Sequence, residues 1–112
     1  MQEIIELQAN SKLISEKICE YCKPLMLEKE NRKERTRLLS SETDLQLALQ
    51  YALETDNVKS CVEKLKLARE ECDIITYTLR QLNQSTSLTI EIRELCLKVT
   101  AIIDKIIAKA DN

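Results

Sequence analysis

From Val58 to Leu82 the chain runs 25 residues without a glycine or proline, with apolar or small residues at Val58, Cys61, Leu65, Ala68, Cys72, Ile75, Leu79 and Leu82. The steps between them alternate between three and four, which places all eight on one face of an α-helix in a heptad rhythm. A helix that is apolar along one side does not stand alone in water; it needs partner helices to cover the stripe. The remainder of the chain has the segments to supply them.

The whole sequence favours helix. In 112 residues there is no glycine, one proline, and no tryptophan, phenylalanine or histidine. Sheet proteins draw on glycine for turns and on aromatic residues for strands. Leu, Ile, Glu, Lys and Gln dominate here and favour helix. A 44% apolar and 32% charged composition suits an amphipathic bundle, and this length suits one domain, residues 1–112, with one core.

The first helix is predicted from about Glu3 to about Lys23, with Ile4, Leu7, Ser11, Ile14, Ile18 and Tyr21 on its inner face. Pro24 ends or kinks it. The segment Lys23–Arg37 reads either as a loop leading into a helix start or as a kinked continuation, and the run Glu28–Arg37 is almost wholly charged. A second helix is established by about Arg32 and reaches about Thr55, turning Leu38, Leu45, Leu49 and Ala52 inward. Ser40, Ser41 and Thr43 are weak helix formers in its middle and suggest a close helix approach there. Asp56 or Asn57 caps the third helix, which ends around Asn83. Gln84 opens the next turn, and Ser85, Thr86 or Ser87 caps a fourth helix with the seam Leu88, Ile92, Leu95, Val99, Ile102, Ile106. Asp111 and Asn112 fray. Short joints make neighbours antiparallel, so the expected fold is all-α, an up-down-up-down four-helix bundle.

Leu39, Leu53, Ile74, Ile90, Ile103 and Ile107 lie off these inner seams. A second apolar strip outside a bundle is normally covered by another subunit. These six residues are therefore the expected contact of a homo-oligomer; the competing reading is a wide core.

The chemistry that the residues allow is narrow. Without histidine there is no ready acid–base group near neutral pH, and without glycine no loop to cradle a phosphate. Cys19 and Cys22 form a Cys-x-x-Cys, yet structural zinc needs four ligands and no second pair or histidine completes a set. A redox pair normally opens a helix, where the dipole lowers a thiol pKa; this one closes a helix. No catalytic residue, metal or cofactor is expected, nor any small-molecule substrate. The five cysteines are an odd, scattered set and read as buried free thiols, which argues for a reducing, cytoplasmic setting. No apolar run approaches the roughly 20 residues of a membrane span. The opening MQEIIELQANSK lacks a basic start followed by an apolar block, so no signal peptide is expected.

The net charge of −2 leaves nucleic-acid contact to a local patch. Lys29, Arg32, Lys33, Arg35 and Arg37 put five cations into nine residues, with Glu28, Glu30 and Glu34 between them. They form a candidate phosphate-binding set. Composition alone favours a solvated charged linker.

The stretch ERTRLLSSETDLQLALQYALETDNVKSCVEKLKLAREECDIITYTLRQLNQ resembles the central part of the small four-helix-bundle proteins encoded in ribosomal-RNA intervening sequences. The telling piece is Glu63–Leu82, with small residues at Ala68 and Cys72 and an aromatic at Tyr77. Leu95–Ala110 is similar to the closing helix of those proteins, so the likeness covers Glu34–Ala110. The same fold family includes the accessory variability determinant of diversity-generating retroelements. What the resemblance implies is a barrel-shaped pentamer that binds a reverse transcriptase and RNA. The sequence thus points to a non-enzymatic accessory protein beside a nucleic-acid enzyme or RNA; the alternative is a protein–protein adaptor without nucleic-acid contact.

Overall fold

One proline and three different caps divide the chain. The computed structural model describes residues 2–25, 29–82 and 85–110, and among these there are four α-helices and no strand. Expectations for Met26, Leu27, Glu28, Asn83, Gln84, Asp111 and Asn112 lie outside the described residues. Helix α1 spans Gln2–Cys22 and gives way to a single 3-10 turn, Lys23–Leu25, that contains Pro24. Proline has no amide hydrogen to continue the ladder, so the helix stops where the sequence said it would.

Helix α2 spans Arg32–Glu54. Its cap, Asn31, sits in the left-handed region at φ 61°, a conformation asparagine tolerates better than most residues. Helix α3 spans Val58–Leu82, and the Asn57 Oδ1 accepts the Ser60 amide at 2.9 Å to cap it. Helix α4 spans Ser87–Ala110. Its start is a reciprocal cap: the Thr89 amide donates to Thr86 Oγ1 at 3.2 Å, and the Thr86 amide donates to Thr89 Oγ1 at 3.0 Å. Of the alternatives left open by the sequence, Asn57 and Thr86 are the caps.

The helices pack as α1 on α2, α2 on α3, α3 on α4 and α4 on α1, an up-down bundle measuring 47 × 21 × 19 Å. The inner face of α2 is as expected: Leu38, Leu45, Leu49 and Ala52 are buried. The α3 seam is buried from Leu65 to Leu82, while Val58 at its start is 63% exposed. In α1 the buried set is Leu7, Ser11, Ile14, Ile18, Tyr21 and Cys22, and in α4 the seam Ile92, Leu95, Val99 and Ile102 is buried.

Two expected outer residues are inner ones. Ile103 is fully buried and Ile107 is buried at the far end of the same row. The reason is geometric: α4 shares its contact evenly between α1 and α3, so its buried face is two rows wide, and Cys96, Ile103 and Ile107 form the second row. The wide-core reading is correct for α4.

The most extensive helix contact is between α2 and α3. Small buried residues fall at this seam: Ser41, Ala48 and Ala52 on α2 and Ala68 on α3. Small side chains let two helix axes approach closely, which is the role proposed for the serine-rich middle of α2; of that group it is Ser41 that faces inward. The fully buried Thr78 hydroxyl is satisfied locally, donating to the Ile74 carbonyl at 2.7 Å. Between α1 and α2, Gln46 Nε2 donates to the Ser11 carbonyl at 2.8 Å. Surface ion pairs tie α4 to its neighbours: Lys17 with Glu91 and Lys109 with Glu3 to α1, and Arg69 with Asp104 at 2.5 Å to α3. At such exposure each contributes little to stability.

Candidate docking surface

The close approach of α2 and α3 has an outer consequence. With small residues at the seam, the large apolar side chains one helical step outward cannot turn into the core and lie on the shoulders of the two helices. On α2 these are Leu47 (59% exposed) and Tyr51 (50%); on α3 they are Leu67 (44%), Ile74 (38%) and Tyr77 (58%). They line a shallow groove whose two halves share Asp44 and Glu71 at its centre.

One half is bounded by Leu47, Ala48, Tyr51, Lys64 and Leu67, and the Lys64 ammonium sits 4.9 Å from the Tyr51 ring centroid. The other is bounded by Lys33, Arg37, Ser40, Ile74 and Tyr77. There Arg37 Nη1 donates to Gln81 Oε1 at 3.1 Å, and Gln81 Nε2 donates to the Tyr77 hydroxyl at 3.3 Å. Burial pushes the Glu71 carboxyl above the usual carboxylate range, and the negative charge of Asp44 adds to that; a hydrogen bond from Ser41 opposes it. The face is thus cationic at both ends, apolar between, and acidic in the middle.

The candidate phosphate-binding set does not lie together as five free cations. Lys29, Arg32 and Lys33 are exposed around the start of α2. Arg35 is buried, lying beside Cys22 and Leu39 in the crevice at the α1–α2 end, and Arg37 is half-buried and engaged with Gln81. On a helix, residues 32, 33, 35 and 37 face different directions, and the α1-facing direction of α2 is the one that Arg35 takes. The patch is therefore a trio, and Arg35 and Arg37 serve the fold and the groove.

Of the outer apolar set, Leu39 and Leu53 are half-buried, Leu39 being packed on the core, and Ile74 and Ile90 are exposed. Sequence reading missed Leu47, Tyr51 and Leu67. The signal was present: Leu47 and Tyr51 are four apart, and Leu67 and Ile74 seven apart, each pair offset to the same side of its helix's inner seam.

Cys22, Cys72 and Cys96 are buried and serve packing, whereas Cys61 is half-buried and Cys19 is exposed, not the buried thiol expected. Cys72 and Cys96 are both buried on the α3–α4 contact, and their mutual hydrogen bond, together with burial, raises the Cys72 thiol pKa far above its ordinary value. Burial likewise pushes Cys22 up to about 11, whereas Cys19 is exposed. Thiols held protonated are poor nucleophiles and poor metal ligands. Among the described residues no group of Cys, Asp or Glu is arranged to hold a metal ion, and no helix is long and apolar enough to cross a membrane.

The fold and this face together define a helical bundle with an exposed side groove between α2 and α3. The chain matches no protein-family model, no curated protein and no solved structure.

Proposed function

We propose that the chain is a non-enzymatic accessory protein whose work is done by docking, with the four helices as a rigid carrier for the α2–α3 face. The observation that carries this reading is the row of large apolar side chains left wet on that face above a completed core. Contiguous exposed apolar surface on a folded domain marks an interaction site. The absence of histidine and the protonated state of the buried thiols support a non-catalytic role. Free thiols in the core fit a reducing, cytoplasmic location.

Following the resemblance, the docked partner is a nucleic-acid enzyme such as a reverse transcriptase, and the chain works as a homo-oligomer, a ring of five in that family. A head-to-tail ring joins different faces of neighbouring copies, so Leu39, Leu53, Ile74 and Ile90 need not form one continuous strip to contribute. RNA contact is a second reading, favoured by one observation: Lys29, Arg32 and Lys33 stand exposed at the N-terminal, positive end of α2.

The test is the mass of the tagged protein purified from its own cells, measured by light scattering after size exclusion, for the natural chain and for Leu47→Glu/Leu67→Glu. The natural chain elutes in a complex heavier than its 12.9 kDa and the folded variant elutes in a lighter one that has lost the docked partner. Equal masses for the two overturn the docking reading. For RNA, retention of a structured RNA on filters at two salt concentrations is salt-sensitive with the natural chain and lost in Lys29→Glu/Arg32→Glu/Lys33→Glu. Undiminished retention by that variant removes the second reading.

A further inference from the structure

Resting on the docking reading, the charge order along the groove narrows the occupant. Read from the Arg37 end to the Tyr51 end, it runs cation (Lys33, Arg37), apolar (Tyr77, Ile74), acid (Asp44, Glu71), apolar (Leu67, Leu47), cation (Lys64). Fourteen residues of α2 separate Arg37 from Tyr51, about 21 Å at a helical rise of 1.5 Å per residue. That is close to four turns of a partner helix. A trough between two parallel ridges of side chains is also the shape that receives a helix.

We propose that the α2–α3 groove binds an amphipathic helix of another protein that carries a lysine or arginine between large apolar residues, the cation seated between Asp44 and Glu71. The apolar residues of such a helix, one turn to each side of the cation, meet Ile74 and Tyr77 in one half and Leu47 and Leu67 in the other. Carboxylates near its ends meet Lys33, Arg37 and Lys64.

Three observations select this occupant. Both carboxylates line the middle of the groove, Asp44 exposed and Glu71 half-buried, and the negative charge of Asp44 already disfavours ionised Glu71, so a cation placed between them is stabilised by both. A second copy docked face to face about a two-fold axis through the groove centre would set Asp44 and Glu71 against themselves, a like-charge contact without compensation. A nucleic-acid strand lying along the groove would bring phosphates onto the same pair, against the sign that phosphate binding requires.

The test uses the intact protein and a phage-displayed library of 16-residue helix-favouring peptides. The expected result is enrichment of clones with Lys or Arg flanked at three or four residues on each side by Leu, Ile, Met or Phe. For a synthetic peptide of the leading clone, Lys→Glu at the centre, or Asp44→Lys/Glu71→Lys in the protein, weakens binding at least tenfold. Combining the two reversals restores binding, and that recovery also shows the protein variant to be folded. Clones without a central cation, binding indifferent to the double reversal, or no enriched clone each overturn the proposal. Since the docking reading is judged separately by the loss of the native complex in Leu47→Glu/Leu67→Glu, a groove that needs those leucines but ignores the central charges refutes this inference alone.

Discussion

Ile103 and Ile74 look alike in the sequence, each one step off an inner seam, and the fold separates them. Ile103 is fully buried; Ile74 is 38% exposed on the groove. Truncating Ile103 to alanine removes three carbons from a closed core and leaves a cavity, a change that costs 2–5 kcal/mol, about 3.5 in mid-range. With an unfolding entropy near 2.1 cal/mol/K per residue, a chain of this length loses roughly 4 °C of Tm per kcal/mol. Ile103→Ala should therefore melt about 14 °C lower. Ile74→Ala opens no closed cavity, because water reaches the site, and its loss is the transfer of its covered carbons alone, about 1 to 1.5 kcal/mol, or roughly 4–6 °C. The assay is thermal melting by circular dichroism of both variants and the natural chain, at low protein concentration and at a concentration about 50-fold higher. Docking between copies through Ile74 would add a concentration-dependent increment to the natural Tm that Ile74→Ala abolishes, since association stabilises the folded state by mass action. Equal losses for the two variants at low concentration would refute the division of core from groove.

Three other outcomes are expected. Ala68→Leu overpacks the α2–α3 seam, where Ala68 is fully buried; it should cost about 1–3 kcal/mol, roughly 4–12 °C of Tm, whereas Ala68→Gly lowers stability without separating the helices. Thr86→Ala removes half of the reciprocal cap of α4 and should cost about 1 kcal/mol, read as a urea midpoint shift with an unchanged slope. Glu71 has its folded-state pKa raised, so the folded chain holds that proton more tightly than the unfolded chain, and stability falls as pH rises from the ordinary carboxylate value through the raised one. Glu71→Gln should then be at least as stable as the natural chain at neutral pH, and the difference should shrink as pH falls through that window. A Glu71→Gln variant less stable than the natural chain at neutral pH, with the gap closing on acidification, would mean that Glu71 is held ionised by a partner cation in the free protein.

The inner seams of the helices were legible because each residue's direction on its own helix follows from spacing alone. How wide a buried stripe becomes was not, because that depends on how a helix divides its contact between its two neighbours: α4 is covered evenly by α1 and α3, and Ile103 and Ile107 go inward. How the cation run divides was not legible for a similar reason. Charge density counts Arg35 with Lys33, but on α2 those two differ by about 200° around the axis, and one of them faces the crevice beside Cys22. The groove was the least legible feature, since it belongs to a pair of helices and to neither alone. Its existence follows from Ser41, Ala48 and Ala68: residues that small bring α2 and α3 close, and that closeness leaves Leu47 and Leu67 outside. Packing and docking are thereby coupled. A seam widened by Ala68→Leu would give Leu47 and Leu67 room to sink between the helices, so that variant should lose partner binding by more than its loss of stability explains. Leu47→Glu should lose binding with its melting temperature nearly unchanged. If both variants trace one line relating binding to stability, the face is not set by the seam beneath it.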